Sequence, residues 1–397
     1  MEWQKPKYNE DGVVVSIPDN WLYIHYYEAL SSLFRIENSL RVFVFIVLKT
    51  EIGHNWPDLE ITSEDGSQTT INKLAKRRIA QGKTFGYLGF HITSPLMYLT
   101  SGELVAIIIS ENCWRHFNKY FLAAKHVVTL KLQEIGNIRN SLAHFRPIKQ
   151  DDVEVVKQNA TQVLSGVESV LEEATSCIDR VPTNTQDMWY QELSTLGTQQ
   201  CKFLFNQSRD KNWVKITLQF RCRALNAPKE NTSGYFRFDV LKIDSAECIK
   251  KFSRICQIVT ILTEQIDYPG WRIKPEILFG KDLQFIFGAK VLEENYSELR
   301  NEIEQLISKI AQEVELINED HLARGELVQL VHIDASEKKH ENRTYWKFNT
   351  AQLYRPVEAN DPAEYWGNLQ MPNENLITET NIFPWMHVDI SSVSVPF

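Results

Sequence analysis

The stretch NKYFLAAKHVVTLKLQEIGNIRNSLAHFRP, Asn118 to Pro147, decides how the first half of the chain folds. Leu130, Leu132, Ile135, Ile138 and Leu142 recur at helical spacing, which predicts a helix from Asn118 to about His144 with these residues as its buried stripe. Pro147 ends it, because proline excludes helical backbone at the residue before it. Asn140 and His144, four positions apart, share one face of that helix, and Arg139 lies one position round from Asn140. Three polar groups thus converge at the end of an element that its packed stripe holds in place.

Working outward, Trp21 to Lys49 carries apolar residues at helical spacing and reads as one long helix. Ile71 to Gln81 is a short basic helix, followed by a glycine-rich loop from Gly82 to Gly89. Ser101 is the expected N-cap of a helix reaching about Asn112, and Asp151 and Asp152 favour the start of another that runs to about Ile178. The first half is therefore an all-α bundle. Turn formers without apolar periodicity over Asp179 to Gln186 mark a boundary, giving domains over residues 1–180 and 187–397. Beyond it Val214, Ile216, Leu218, Phe220, Cys222 and Ala224 alternate with polar residues at period two, as a half-buried strand does. Further strands are expected at Tyr235 to Ile243, Glu276 to Phe279, Leu283 to Phe287, Glu326 to Ile333 and Thr344 to Tyr354, with Gly280-Lys281-Asp282 as a turn. Helices are expected at Ala246 to Gln265 and Asn295 to Ile317, so the second half, and the chain overall, is α+β. Aromatic residues from Trp366 to Phe397 suggest a tail packed on the body.

The 397 residues suit two domains, and 43% hydrophobic with 24% charged residues excludes a disordered or fibrous chain. No apolar run is long enough to span a membrane and no leader follows Met1, which places the chain in the cytoplasm without a membrane partner. Six cysteines without a Cys-x-x-Cys pair read as buried reduced thiols. The net charge of −8 argues against a nucleic-acid binder over its whole surface. That average hides a segregation, because residues 72–149 hold twelve cations and three anions, leaving −17 on the rest. A local basic site on an acidic body attracts phosphate.

The cluster at Arg139, Asn140 and His144 suits cleavage of a phosphate ester. Histidine exchanges a proton at neutral pH, and arginine holds a phosphate and stabilises its developing charge. The segment Arg139-Asn140-Ser141-Leu142-Ala143-His144 resembles the signature of the HEPN superfamily of helical ribonucleases, an arginine followed by a polar residue and, a few positions on, a histidine. The long first helix with Arg35-Ile36-Glu37-Asn38-Ser39-Leu40-Arg41 and the late position of the motif helix fit as well, over about residues 20 to 180. The resemblance implies a metal-independent endoribonuclease without a cofactor, in which RNA is cut by its own 2′-hydroxyl. His144 is then the general acid or base, Arg139 stabilises the phosphorane, and Asn140 orients the phosphate or the histidine. It also implies a homodimer through the helical half with both motifs lining one cleft, and a toxin or an anti-phage or stress-defence effector.

Arg146, Lys73, Lys76, Arg77 and Arg78 are candidate RNA contacts, and Leu142, Phe145 and Ile148 are the apolar groups expected to join the protomers. Glu37 and Arg41, four apart, are expected to form an ion pair. His116, His126 and the other histidines lack a carboxylate or second histidine at helical spacing, so no metal site is expected. The second half shows no catalytic constellation and reads as a sensor, substrate-guiding or regulatory module for a trigger or inhibitor. The alternative is a non-catalytic scaffold that binds RNA or dimerises through the helical half.

Overall fold

The structure, a computed structural model, describes residues 7–8, 14–16, 24–62, 66–85, 94–146, 148–176, 185–225, 229–230, 236–267, 278–319, 324–340, 343–349, 353–355, 357–358 and 360–368. The expected tail beyond residue 368, Pro147, residues 86–89 of the expected loop and most of the expected boundary segment lie outside the described residues, while residues 82–85, expected in that loop, continue the helix that starts at Ile71.

Among the described residues the first half is built on six α-helices: α1 (Ile24–Ile52), α2 (Ile71–Phe85), α3 (Ser101–Ile109), α4 (Glu111–Phe117), α5 (Lys125–Ala143) and α6 (Gln150–Ser176). Two small antiparallel ladders accompany them, β1 (Lys7–Tyr8) with β2 (Val14–Ser16) before α1 and β3 (Glu60–Thr62) with β4 (Gln68–Thr70) between α1 and α2, so this half is helical but not purely so. The helices pack because each shows an apolar stripe, such as Val128, Leu132, Ile135 and Leu142 on α5. In α1 the run Phe43-Val44-Phe45-Ile46-Val47-Leu48 is buried on every side, since helices enclose one flank and the second half covers the other. Gly166 on α6 permits the closest approach, because a Cβ there would meet the carbonyl oxygen of Tyr120 at 1.9 Å.

Local chemistry shifts several boundaries. The cap of α3 is Thr100, whose hydroxyl accepts from the Glu103 N–H while the Glu103 carboxylate accepts from the Thr100 N–H, and Ser110 then ends α3 and caps α4. Ser101 is therefore not the cap. Asn118–Tyr120 forms a 3-10 turn and extended backbone at Phe121 and Ala124 precedes α5, so the motif helix starts at Lys125. Leu130 is 57% exposed and does not belong to the buried stripe.

The second half adds α7 (Met188–Ser194), β5 (Cys201–Gln207), β6 (Trp213–Arg223), β7 (Lys229–Glu230), β8 (Phe236–Ile243), α8 (Ser245–Lys251), α9 (Ser253–Ile258), β9 (Ile261–Asp267), β10 (Leu278–Gly288), α10 (Ala289–Asn318), β11 (Val328–His340), β12 (Arg343–Phe348) and β13 (Tyr365–Gly367). One sheet runs β13-β9-β10-β6-β5, antiparallel except for β13 beside β9, and the other runs β12-β11-β8-β7. The chain is α+β, with helices first and sheets after. Gly280-Lys281-Asp282 is not a turn but the interior of β10, where Lys281 is buried against Glu264 at 2.8 Å. The helix expected over Ala246 to Gln265 is instead α8, α9 and β9: Phe252 leaves helical geometry, and the β-branched run Val259-Thr260-Ile261 favours a strand.

Two apolar clusters result. One gathers α1 to α6 with Trp213, Ile261 and Ile286 from the five-stranded sheet, and the other lies between that sheet, α10 and β8 and β11. Because the first covers one end of the sheet, Lys215 and Thr217 are buried and β6 is not the half-solvated strand its alternation suggested. Lys49 of α1 forms a buried ion pair with Glu364 and donates to the carbonyl of Cys256 at 3.0 Å, which ties the motif bundle to the second half.

Candidate functional site

The site is built where α5 crosses α1 and α3. Arg139 reaches inward, its Nε 3.4 Å from Glu37 Oε2, and its side chain is 37% exposed. Glu37 also holds Arg41, its i+4 neighbour, and accepts from the Ser101 hydroxyl at the start of α3. Arg41 in turn donates to the Leu99 carbonyl at 3.0 Å and to Asn38 Oδ1 at 3.2 Å. The expected Glu37–Arg41 pair is thus present, but it is one part of a cluster of five side chains, Glu37, Asn38, Arg41, Ser101 and Arg139. Burial pulls the Arg41 guanidinium below its ordinary pKa; Glu37 opposes that fall and the neighbouring charge of Arg139 adds to it. Two guanidinium groups against one carboxylate leave a positive excess at the surface, which an arriving phosphate neutralises. A small apolar cavity lies behind this cluster, lined by Leu33, Leu40, Leu104 and Ile135.

Asn140 and His144 face solvent. His144 is the C-cap of α5, with its N–H donating to the Asn140 carbonyl at 3.1 Å. Among the described residues no hydrogen bond joins the side chains of Arg139, Asn140 and His144, so the structure sets them at one helix end without closing them into a bonded triad. The end itself is capped by backbone bonds. Phe145 N–H donates to the Leu142 carbonyl and Arg146 N–H to that of Ser141, both at 2.9 Å, the paired bonds of a Schellman ending. Phe145 occupies the left-handed position with φ 54°, where glycine is usual and a side chain costs about 1–2 kcal/mol. Its ring lies parallel to Tyr26, 6.4 Å between centroids, and the Tyr26 hydroxyl donates to the Leu142 carbonyl at 3.0 Å. Tyr26 therefore fixes both the helix end and the residue after His144. The bond joins residues 116 apart, which no local spacing signals.

The remaining cations divide. Arg146, Lys73, Lys76 and Arg77 are exposed. Arg78 is held by a two-pronged ion pair to Glu103, at 2.7 and 2.8 Å, and by the Tyr98 carbonyl, so it braces α2 against α3. Of the apolar groups expected to join protomers, Leu142 and Ile148 are buried within the chain, and only Phe145, 81% exposed, is available. Leu30 and Phe34, one and two turns beyond Tyr26 on α1, are also exposed. His116 rests 3.4 Å from Glu51, beside Lys119. Among the described residues no three His, Cys, Asp or Glu side chains gather as a metal site requires, and no helix is long and apolar enough to cross a membrane. No family model, curated protein or solved structure matches the chain.

Proposed function

We propose that the protein is a metal-independent endoribonuclease of the HEPN type, acting in the cytoplasm as a toxin or defence effector. The observation that carries the reading is the end of α5, where Arg139 and Asn140 lie on the last turns of a braced helix and His144 caps it, followed by the exposed Arg146, with further exposed cations Lys73, Lys76 and Arg77 on α2. In the reaction the 2′-oxygen of a ribose attacks the adjacent phosphorus and the bond from phosphorus to the 5′-oxygen breaks. The products are a 2′,3′-cyclic phosphate and a 5′-hydroxyl. His144 takes the proton of the attacking hydroxyl or gives one to the leaving oxygen, and Arg139 stabilises the charge that gathers on the phosphoryl oxygens. Asn140, exposed on the same turn, orients the phosphate.

A single motif supplies one histidine, whereas attack and departure each move a proton. A two-fold dimer supplies the second. Its contact is the exposed apolar strip of Phe145, Leu30 and Phe34. Two positive motif helices repel, and an apolar contact with Glu37 drawing on each Arg139 offsets that repulsion. The test is incubation of the purified chain with total RNA in EDTA. Fragments ending in 2′,3′-cyclic phosphate are expected. RNA bound and left whole would make the helical half a binding scaffold, and cleavage lost on chelation would assign a metal-dependent chemistry.

A further inference from the structure

The sheet β12-β11-β8-β7 ends in an arm. β8 pairs β11 only as far as Phe236 opposite Ala335, and from Ser336 to His340 the strand is paired with β12 alone among the described residues. The faces of this hairpin follow from its register. Ala335 is buried and Phe348, opposite it, packs on Phe238 and Phe279, so that side belongs to the core. Successive residues alternate, which puts Ser336, Lys338 and His340 on the other side. Their partners across the ladder, Lys347, Tyr345 and Arg343, share it. The outer face of the arm thus pairs Ser336 with Lys347, Lys338 with Tyr345 and His340 with Arg343, in rows about 7 Å apart that hold no carboxylate.

Charge sets this face apart. Before the arm, the same side carries His332 against Asp239 and Arg237 against Asp334, each base with an acid across the ladder. Elsewhere in the second half Arg254, Arg300, Lys309 and Arg355 are likewise held by carboxylates. Lys338 and Lys347 are exposed, and neither has an ion-pair partner among the described residues. On a chain of net charge −8, unpaired cations gathered on one projecting face attract a polyanion. Tyr345 occupies the middle row, and an aromatic ring among cations is what a single-stranded nucleic acid uses, since every base can stack on it. An acidic peptide would engage the cations and leave the ring unused. The residues joining the strands, Glu341 and Asn342, lack the apolar groups that enter a lipid surface. We infer that the outer face of the arm docks a single strand of RNA, phosphates at Lys338, Arg343 and Lys347 and a base at Tyr345. That the strand is RNA rests on the ribonuclease reading, whereas the docking is read by binding, apart from cleavage.

The test is fluorescence anisotropy of the full chain with a labelled single-stranded RNA of about 12 nucleotides, 2′-O-methylated so that it cannot be cut. The parent is expected to bind with a Kd below about 10 μM in salt below about 0.1 M. Lys338→Gln/Lys347→Gln should bind at least about fivefold more weakly at an unchanged melting temperature and with a shallower salt dependence. Tyr345→Ala should lose at least about fivefold, and Tyr345→Phe, which keeps the ring, less than about twofold. If Tyr345→Ala lowers the melting temperature, the lysine variant is read in its place. The inference is overturned by no binding up to about 100 μM, by unchanged affinity in the lysine variant, or by equal loss in the two tyrosine variants. Displacement of the RNA by polyglutamate at equal charge concentration would also overturn it and assign the face to an acidic protein. Binding lost in the variants while the parent leaves total RNA whole sustains the docking surface and removes the nuclease. Cleavage by the parent with binding unchanged in the variants does the reverse.

Discussion

Arg139 of the motif helix and Glu37 of α1 form an ion pair, with Nε 3.4 Å from Oε2, and this contact locates the candidate chemistry on the bundle surface. Only one edge of the guanidinium is directed at Glu37, which leaves the planar fork to hold two phosphoryl oxygens. Arg139→Lys should therefore lose nearly as much RNA cleavage as Arg139→Ala, since lysine keeps the charge and not the fork. Single-turnover rates of the two variants decide it, and near-normal activity in the lysine variant would reduce Arg139 to a generic cation.

Phe145 gives the test of assembly. Phe145→Asn removes the exposed ring from the proposed interface while keeping a residue that tolerates the left-handed backbone. Light scattering should show the variant shifted toward monomer and its cleavage rate reduced, with a melting temperature near that of the parent. A variant that stays fully active as a monomer would refute the composite site.

Much of this arrangement was legible in the sequence because it is local. The spacing of Leu132, Ile135 and Leu142 and the acidic start of α6 each reflect the chemistry of one element alone. The misreadings fall where a distant element intervenes. Lys215 and Thr217 look solvated by alternation, yet the helical half covers them. Gly280-Lys281-Asp282 has turn composition, yet buried Glu264 partners the lysine across the sheet. At the site, Arg139, Asn140 and His144 were visible as a motif, whereas the roles of Ser101 and Tyr26 depend on α1 and α3 lying against α5, 64 and 116 residues from their bonded partners.

Three cysteines predict how the fold responds to alkali. Burial pushes the thiols of Cys201 and Cys256 up to about 12 and that of Cys222 to about 11. An unfolded thiol titrates near 8.5, so the folded state binds these protons more tightly. Their contribution is complete below about pH 8.5 and is lost as pH rises toward 11 to 12. The melting temperature should fall steadily from pH 8 to 10.5, and less steeply in Cys201→Ala. Cys201 and Cys222 are buried and Cys256 half-buried, and rapid alkylation of Cys201 or Cys222 at pH 8 under native conditions would contradict that burial.

Glu313 of α10 anchors the start of β11. Its carboxylate accepts the N–H groups of Glu326, Leu327 and Val328 at 3.2, 2.8 and 2.9 Å. Glu313→Ala strips buried donors of their acceptor and should cost roughly 2–4 kcal/mol. Denaturant unfolding measures it, and a loss below about 1 kcal/mol would mean that water replaces the carboxylate.

The most direct test of the ribonuclease account is the comparison of the full chain with His144→Ala on the same RNA. His144 is exposed at the helix end, so the substitution removes proton transfer and leaves the packing of α5 intact. The variant should melt with the parent and cut roughly 100-fold to 10,000-fold more slowly. Cleavage by folded His144→Ala at the parental rate would contradict the assignment of this helix end as the catalytic site.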